Sequence, residues 1–297
     1  MATQSRLLIT GCKGQLGSDL VRLLQRAYDV RGIDIDDVDV TDRKAILSLI
    51  GEIAPDVVIH AAAYTDVDGC ESDSDLAMSV NRDGTENIAR ACAEVDANMV
   101  YYSTDYVFDG TKAEPYNEDD RPGPRTVYGK SKLAGEMAVQ QHLARHVIMR
   151  IAWIYGINGK NFVKTMIRLG KAQLEATNRG EKTVPLRVVN DQVGNPTWTC
   201  DIVNQTRQLI ETDRLGLFHS TSEGEVSWYR FACDIFDNMG MPVALEPCTS
   251  AEFPRPACRP ARSSLNNRKL TEAGINVMPP YRRSLEEFLN THGAELI

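Results

Sequence analysis

A glycine-rich heptapeptide near the start of the chain constrains the fold more than any other feature. The sequence GCKGQLG, at residues 11–17, directly follows an apolar run at residues 6–10. In this pattern one glycine permits a tight turn, one lets the backbone approach a pyrophosphate, and one lets a helix pack closely on a strand. A leucine stripe with helical spacing comes next. The order of strand, glycine turn and helix predicts a dinucleotide-binding unit.

Short apolar runs continue to alternate with segments of helical spacing through the first half of the chain. Further strand-like runs lie at residues 29–34, 56–63, 98–104 and 146–153. Strands that alternate with helices predict right-handed crossovers and a parallel sheet covered on both faces. We therefore expect an α/β protein with a Rossmann-type, doubly wound parallel sheet and a smaller C-terminal α/β lobe.

The alternation weakens after the fifth strand, which places a domain boundary there. We expect residues 1–152 to form the dinucleotide-binding domain and residues 153–297 to form mainly a substrate lobe. Residues 185–220, interpreted as strand, helix (199–211) and strand, are candidates to return to the first domain. The polar residues 171–183 predict an exposed loop, and the prolines of residues 246–263 predict irregular structure.

Composition excludes several classes of protein. The chain has 297 residues, of which 42% are hydrophobic and 25% charged, as in ordinary globular proteins. A net charge of -8 argues against nucleic acid or a membrane surface as partner, although it permits an anionic substrate. Seven cysteines without a CxxC pair predict reduced thiols in a cytoplasmic protein. No apolar run reaches the length of a membrane span.

The end of the second strand bears on the choice of cofactor. Asp34 is placed to accept hydrogen bonds from the adenosine ribose and to repel a 2′-phosphate, which favours NADH. Lys13, inside the glycine turn, favours NADPH instead. We expect either cofactor to bind, with a slight preference for NADH. The aspartates of residues 34–42 lack the spacing of a calcium loop, so a solvated loop with Asp39 and Val40 beside the adenine is favoured over a cation site.

A tyrosine and a lysine one helical turn apart supply the candidate chemistry. Tyr128 and Lys132 lie on one face of a predicted helix. A free tyrosine has a pKa of about 10, and we expect the nearby ammonium to lower it and so ease proton exchange. Thr104 ends the fourth strand, at the sheet edge where ligands bind in such folds, and is placed to steer a carbonyl toward Tyr128. The predicted catalytic residues are Thr104, Tyr128 and Lys132.

The cofactor prediction extends to the small residues that finish the third strand, against which a flat ring system can lie. The predicted cofactor-binding residues are Gly11, Lys13, Gly14, Gln15, Leu16, Gly17, Asp34, Asp39, Val40, Ala61, Ala62, Ala63, Tyr64, Tyr128 and Lys132. His142 and His146 share a helix face, but residue 143 is not glutamate, so zinc chemistry of the HExxH type is excluded.

These motifs resemble those of the extended short-chain dehydrogenase/reductases and, within them, the dTDP-4-dehydrorhamnose reductase family. The matching residues are 11–17, 55–57, 61–65, 67–68, 103–108, 128–136, 150, 153, 161–162, 164–166, 190–192, 194, 196–197, 259–260 and 264–266. The resemblance implies a Rossmann domain with a sugar-nucleotide lobe. It also implies NADH- or NADPH-dependent reduction of the C4 ketone of a dTDP-6-deoxy-L-hexulose, with Tyr128 as proton donor.

The resemblance also implies a substrate side to the site. Its residues are Thr65, Val67, Thr104, Asp105, Tyr106, Phe108, Trp153, Asn190 and Gln192. We add Arg259 and Arg262 as candidates for the diphosphate, because guanidinium groups match phosphate in a bidentate manner. Some members are thought to dimerise through a carboxylate-bound metal. Residue 15 is Gln and residue 190 is Asn in this chain, so we expect no metal and a monomer or weak homodimer.

Other functions of the same fold stay open at this point. A nucleotide-sugar dehydratase is disfavoured because Thr104-Asp105 is followed by Tyr106 and not by a second carboxylate. A reductase of another nucleotide-linked 4-keto sugar is harder to separate, since loop residues determine the pocket. A non-catalytic alternative is a regulatory subunit like that of methionine adenosyltransferase, against which the intact Thr104, Tyr128 and Lys132 argue.

Overall fold

The computed structural model describes residues 5–296 as an α/β protein. Its strands are β1 (Arg6–Thr10), β2 (Asp29–Ile33), β3 (Val57–His60), β4 (Asn98–Thr104), β5 (His146–Ile151), β6 (Ile154–Tyr155), β7 (Leu186–Val189), β8 (Val193–Gly194), β9 (Thr197–Trp198), β10 (Gly216–His219), β11 (Val226–Ser227) and β12 (Leu245–Cys248). Its α-helices are α1 (Gln15–Leu24), α2 (Arg43–Ile53), α3 (Val67–Ser72), α4 (Ser74–Met78), α5 (Thr85–Glu94), α6 (Val127–His142), α7 (Phe162–Asn178), α8 (Thr199–Glu211), α9 (Trp228–Met239), α10 (Arg268–Glu272) and α11 (Tyr281–Leu296).

A six-stranded parallel sheet forms the centre of the molecule, with the strand order β10-β5-β4-β3-β1-β2. The chain proceeds outward from β1 to β2 on one side and from β3 to β5 on the other. The point where this direction reverses lies between β1 and β3, and ligands of open α/β sheets bind at the carboxyl ends of the strands beside such a point. The predicted Rossmann-type fold class is confirmed.

Both faces of the sheet are buried under helices. Because successive side chains of a strand point to opposite faces, Leu7 and Ile9 pack with α1 and α8, whereas Leu8 packs with α2, α5 and α6. This double burial explains why the strands are near-continuous apolar runs in the sequence. It also makes the sheet a rigid platform from which the loops at its carboxyl edge project.

The second half of the chain forms three small two-stranded sheets and a separate hydrophobic core, which together are called the second lobe below. β6 pairs with β9, β7 with β12, and β8 with β11. From the stretch 185–220, α8 packs on α1 and β10 extends the central sheet beside β5, whereas β7 lies outside that sheet. Within residues 5–296 no helix has the length and apolar character needed to cross a bilayer.

The predicted exposed loop at residues 171–183 is wrong in its first part, because α7 continues to Asn178. The buried side of this helix extends through Gly170 to Gln173. The Gln173 side chain donates to the carbonyls of Val184 and Ala244 and accepts from the Ala244 N–H at 2.8 Å. Gln173 is therefore buried although it is polar, because its amide is hydrogen-bonded to the backbone. The polar composition of the segment predicted a loop where the structure has a helix.

Candidate active site

The glycine turn between β1 and α1 forms a cradle of backbone groups. Gly11 adopts φ +69°, and a Cβ there would lie 2.7 Å from the Ala62 backbone. A Cβ on Gly17 would lie 1.9 Å from the Gly11 carbonyl oxygen, so α1 packs this closely only without a side chain. Gly14 is the N-cap of α1, and its position offers no side-chain cap to the first N–H groups of the helix. These groups and the helix dipole fit the pyrophosphate of a dinucleotide.

An open cleft of about 320 Å³ lies beside this turn, at the carboxyl edge of β1 and β3. Its lining residues are Thr10, Gly11, Gly14, Ile33, Asp34, Ile35, Val38, Asp39, Val40, Ala61, Ala62, Ala63, Tyr64 and Val80. Most of the predicted cofactor residues are therefore brought together here. Sequence reasoning missed the apolar contributors Ile33, Ile35, Val38 and Val80, whose types suit an adenine ring but carry no motif.

The remaining predicted residues of the glycine turn lie outside this lining. Leu16 and Gly17 pack inward, with Leu16 only 6% exposed. The Gln15 amide donates to the Ile154 carbonyl at 3.0 Å and accepts from Asn161 at 3.1 Å. Gln15 thus joins the turn to the start of the second lobe, a role that its position in the motif does not reveal.

The adenosine end of the cleft carries an acidic loop that engages the only lysine of the turn. Asp34 accepts from the Lys13 backbone N–H at 2.8 Å. The Lys13 ammonium lies 2.7 Å from Asp36 and is exposed. Asp34 is thus fixed at the cleft wall, while Lys13 is turned toward a carboxylate outside it.

The candidate catalytic side chains come from the end of β4 and the first two turns of α6. Thr126 caps α6 by accepting from the Gly129 N–H at 3.0 Å. A Cβ on Gly129 would lie 2.1 Å from the Tyr106 carbonyl oxygen, so the helix packs tightly on the turn that follows Thr104. This approach brings the Tyr128 hydroxyl close to Thr104.

Burial sets the protonation of the tyrosine. It raises the pKa of Tyr128 well above the ordinary value, and the hydrogen bond with Thr104 opposes this only in part. The expectation that Lys132 lowers this pKa is wrong for the protein groups alone, because desolvation dominates. A tyrosine is protonated at neutral pH even with its ordinary pKa of about 10, and burial stabilises further this form, which a proton donor requires.

Lys132 is also buried, and its surroundings weaken its charge. Burial lowers the pKa of its ammonium to about 7, with the Glu136 carboxylate acting in the opposite direction. Its Nζ lies 4.2 Å from the centre of the Tyr101 ring. The aromatic face stabilises the buried ammonium but takes up none of its N–H groups in a conventional hydrogen bond, so these groups suit the hydroxyl groups of a ligand.

Asp105 contributes a buried carboxylate with an unused oxygen. One oxygen accepts from the Thr104 hydroxyl at 3.0 Å, whereas Oδ2 has no partner among residues 5–296. Burial raises the pKa of this carboxyl to about 6, although hydrogen bonds from Ser263 and Thr104 lower it. A buried acceptor left without a partner is costly, and such atoms are typical of binding sites.

Both candidate arginines already have protein partners. Arg259 donates to the Tyr106 hydroxyl at 3.0 Å and to Asp68 at 3.2 Å. Arg262 donates to both carboxylate oxygens of Glu225 at 2.6 Å. The ion pair between Arg259 and Asp68 connects the second lobe to α3, whereas Arg262 lies with residues of its own lobe.

The other predicted substrate residues divide into surface and support. Thr65 is exposed before α3, and Val67 begins that helix. Phe108 is buried, with its ring stacked on Tyr116 at 4.2 Å, so it shapes the site from behind. Asn190 accepts from Ser227, and Gln192 donates to Ser250, so both hold loops of the second lobe. Trp153 stacks on Trp228 at 3.5 Å.

Comparison with known proteins decides the family. The family model described as RmlD substrate binding domain matches residues 5–293. The chain is 40% identical over 290 residues to the dTDP-4-dehydrorhamnose reductase of Streptomyces griseus, covering 95% of this chain and 92% of that protein. The chain belongs to the dTDP-4-dehydrorhamnose reductase family.

Solved structures of this reductase family resemble the chain throughout its length. A dTDP-4-dehydrorhamnose reductase from Clostridium acetobutylicum matches with a TM-score of 0.92 and 42% identity, covering 97% of this chain and 99% of that one. The structure from Bacillus anthracis, in complex with NADP, matches with a TM-score of 0.92 and 39% identity, covering 97% and 100%. The family resemblance inferred from the motifs is thus confirmed.

Two buried networks behind the site were missed by the sequence analysis. In the first, Arg150 donates to both oxygens of Glu136 at 2.9 and 2.7 Å, and Ser103 donates to the same carboxylate at 2.5 Å. This ion pair holds α6 against the ends of β4 and β5 and so fixes the position of Tyr128, which lies on the same helix. The only available signal was Arg150 inside the otherwise buried, apolar end of β5.

In the second network, His60 bridges β1 and α5. Its ring nitrogens hydrogen-bond the hydroxyls of Thr10 at 2.7 Å and Thr85 at 3.1 Å. Burial, together with the charge of Lys132, lowers the pKa of His60 to about 3, so the ring is neutral. Buried polar groups therefore lie behind both parts of the site, the nucleotide-binding cleft and the catalytic side chains.

Proposed function

We propose that the protein reduces the C4 ketone of dTDP-4-dehydro-L-rhamnose to give dTDP-L-rhamnose, using NADH or NADPH. The observation that carries this proposal is the arrangement at the carboxyl edge of the sheet, where Thr104 ends the strand next to β3, the ends of β1 and β3 line the cleft, and α6 packs close to Thr104 with Tyr128 in its first turn. The similarity to reductases of that name over nearly the whole chain supports the choice of substrate.

The cofactor is held chiefly by backbone and small side chains in this proposal. The glycine turn of residues 11–17 binds the pyrophosphate, Asp34 binds the adenosine ribose, and residues 39–40 border the adenine. Residues 61–64 support the cofactor along the cleft. Lys132 reaches ribose hydroxyls on the nicotinamide side, for which its N–H groups are suited.

Proton and hydride must both reach the carbonyl group. The bound reduced nicotinamide supplies the hydride to the carbonyl carbon. The Thr104 hydroxyl exchanges its hydrogen bond to Asp105 for one to the ketone oxygen, and Tyr128 transfers its phenolic proton to that oxygen as negative charge develops there. The Lys132 ammonium stabilises the phenolate that remains until solvent restores its proton.

The substrate-side residues orient the sugar nucleotide. Residues 65, 67, 105, 106, 153, 190 and 192 surround the sugar or shape its loop, with Phe108 behind them. Asp105 offers its unpaired oxygen to a sugar hydroxyl. Arg259 and Arg262 bind the diphosphate, exchanging part of their contact with Asp68 and Glu225 for the ligand.

The finer properties follow from the same residues. We assign a slight preference for NADH because Asp34 lies at the cleft wall and Lys13 is engaged by Asp36. We assign the reaction to the cytoplasm, for which the unpaired cysteines are suited. We expect a monomer or weak homodimer.

The test is to mix the purified protein with freshly made dTDP-4-dehydro-L-rhamnose and either NADH or NADPH, and to follow the absorbance of the reduced nicotinamide. Rapid oxidation of one or both cofactors supports the proposal and ranks them. Cofactor binding without oxidation in the presence of this sugar contradicts it and favours another keto sugar or a regulatory role.

A further inference from the structure

The backbone of Trp153 adopts an unusual conformation at the edge of the site. Its φ is 46°, in the left-handed region that bulky side chains rarely adopt. The register of β4 and β5 places Ile151 opposite Thr104, so Trp153 follows directly at the catalytic edge of the sheet. A strained conformation persists only where its surroundings hold it, and such residues cluster at functional sites.

Two elements of the second lobe hold the Trp153 indole. The Trp228 ring, at the start of α9, lies parallel to it with a centroid distance of 3.5 Å and an interplanar angle of 3°. The Gly194 backbone approaches it so closely that a Cβ would lie 2.4 Å from Cε2 and 2.6 Å from Nε1. Gly194 and the strand before Trp228 belong to one ladder, since Gly194 pairs with Val226.

The stacking geometry shows that packing imposes the position of the ring. Aromatic pairs left to themselves prefer offset or edge-to-face arrangements, and a nearly eclipsed pair is not the one they favour. Phe162 packs on Trp228 at a centroid distance of 4.5 Å and supports it within the second lobe. The Thr197 N–H donates to the Trp153 carbonyl at 3.2 Å and fixes the backbone.

We propose that Trp228 is a positioning residue for the sugar substrate. Together with Gly194 it fixes the Trp153 indole as a rigid wall of the sugar pocket, and it does so without touching the reacting atoms. This inference rests on the proposed function, because it assigns Trp153 to the sugar. It makes α9 and the β8–β11 ladder part of the device that sets substrate affinity.

The test compares Trp228→Ala, Trp228→Phe and Gly194→Ala with the wild-type protein, and uses Tyr229→Phe as the control on the same helix. Two stacked indoles give an exciton couplet in far-ultraviolet circular dichroism. We expect Trp228→Ala to abolish this couplet and to raise the KM for the keto sugar about tenfold, with kcat within about threefold of the wild type.

The other variants separate positioning from folding. Trp228→Phe keeps an aromatic stack and should return the KM to within about threefold of the wild type. Gly194→Ala leaves Trp228 intact but displaces Trp153, so it should reproduce the raised KM. If Trp228→Ala does not fold, the latter two variants carry the test. Tyr229→Phe should change neither the couplet nor the KM.

Calorimetric binding of dTDP-L-rhamnose to each protein gives a readout independent of turnover. Wild-type protein that binds this ligand but oxidises no cofactor contradicts the proposed function, and the binding constants of the variants still test the role of Trp228. Loss of the couplet with unchanged KM and unchanged binding overturns the inference while the proposed function stands. Wild-type protein that neither binds nor turns over overturns both.

Discussion

The two halves of the cleft are built from different materials. The nucleotide half consists of glycine backbone and small side chains around an open cleft of about 320 Å³. The catalytic half uses side chains at the end of β4 and on α6, of which Thr104 and Lys132 are buried and Tyr128 is partly buried. Backbone groups bind a ligand by its shape and carry no titratable group. The buried side chains differ from them, because desolvation shifts their pKa values. The comparison separates binding from reactivity.

The pKa values of the ionisable side chains also set the catalytic half apart. The pKa of Lys132 falls to about 7 and that of Asp105 rises to about 6, in each case chiefly because burial disfavours the charged form. Such shifts place the titration of both groups near neutral pH. The two halves should therefore respond differently to mutation, and variants that damage one should spare the other.

The largest expected effect lies in the catalytic half. Tyr128→Phe removes the hydroxyl that donates the proton, so kcat should fall about 10²–10⁴-fold while the dissociation constant for NADH or NADPH stays close to the wild-type value. Steady-state kinetics and cofactor titration measure the two effects. Tyr28→Phe, which removes a hydroxyl bonded to Glu211 outside the proposed site, is the control. Turnover above a tenth of the wild-type rate would remove Tyr128 from the role of donor.

The second effect should be confined to the nucleotide half. In Gly17→Ala the new Cβ meets the Gly11 carbonyl at 1.9 Å, so the turn must distort. We expect a loss of stability of about 2–4 kcal/mol and at least about a tenfold weaker cofactor affinity. Urea unfolding and cofactor titration measure these quantities.

Gly51 provides the matched control for that glycine. A Cβ at Gly51 meets nothing within 4 Å, and the residue lies in α2. Gly51→Ala should therefore stabilise the protein by about 0.5–1 kcal/mol and leave cofactor affinity unchanged. Equal cofactor affinities in the two alanine variants would show that the close approach of α1 to β1 does not form the cradle.

A third prediction uses the cost of burying charge in the catalytic half. The pKa of Asp105 is about 6 in the folded protein against the usual 3.8, so the folded state binds a proton that the unfolded state releases between these pH values. Stability therefore falls as pH rises through this window. Asp105→Asn should stabilise the protein by about 1–3 kcal/mol at pH 7, lose that gain below about pH 4, and reduce activity.

Asp201 tests whether the gain in stability comes from removing a buried charge or from the position of that charge in the active site. Its pKa is likewise raised to about 6 by burial, but it lies in the first turn of α8. Asp201→Asn should show a stability gain of the same sign with unchanged turnover. Urea unfolding at several pH values, with turnover at pH 7, compares the two variants. An Asp105→Asn protein less stable than wild type at pH 7 would contradict the argument.

The same division explains what the sequence could predict. The glycine turn and the strands before it are local patterns, and α8 has the bounds 199–211 that its amphipathic spacing predicts. The cofactor cleft follows from such patterns because sheet topology brings strand ends together. Its apolar lining at Ile35 and Val80 carries no pattern, since any apolar residue serves there.

The catalytic half depends on contacts that no local pattern encodes. The ion pair of Glu136 and Arg150 forms only when α6 packs on β5, and the raised pKa of Tyr128 depends on how completely that packing excludes water. Gln173 stabilises α7 through two carbonyls distant in sequence, which is why a polar segment was predicted to be a loop. Sequence spacing identifies the reactive residues but not their energetics.

The smallest expected effect tests the acidic edge of the nucleotide half. Asp34→Ala removes the carboxylate proposed to bind the adenosine ribose and to repel a 2′-phosphate, so the ratio of kcat/KM for NADH to that for NADPH should fall about three- to tenfold. Asp36→Ala is the informative control, because it frees the Lys13 ammonium at 2.7 Å while Asp34 keeps its place. It should raise kcat/KM for NADPH and leave that for NADH unchanged. An unaltered ratio in Asp34→Ala would remove Asp34 from the ribose site and leave the choice of cofactor to other residues of the cleft.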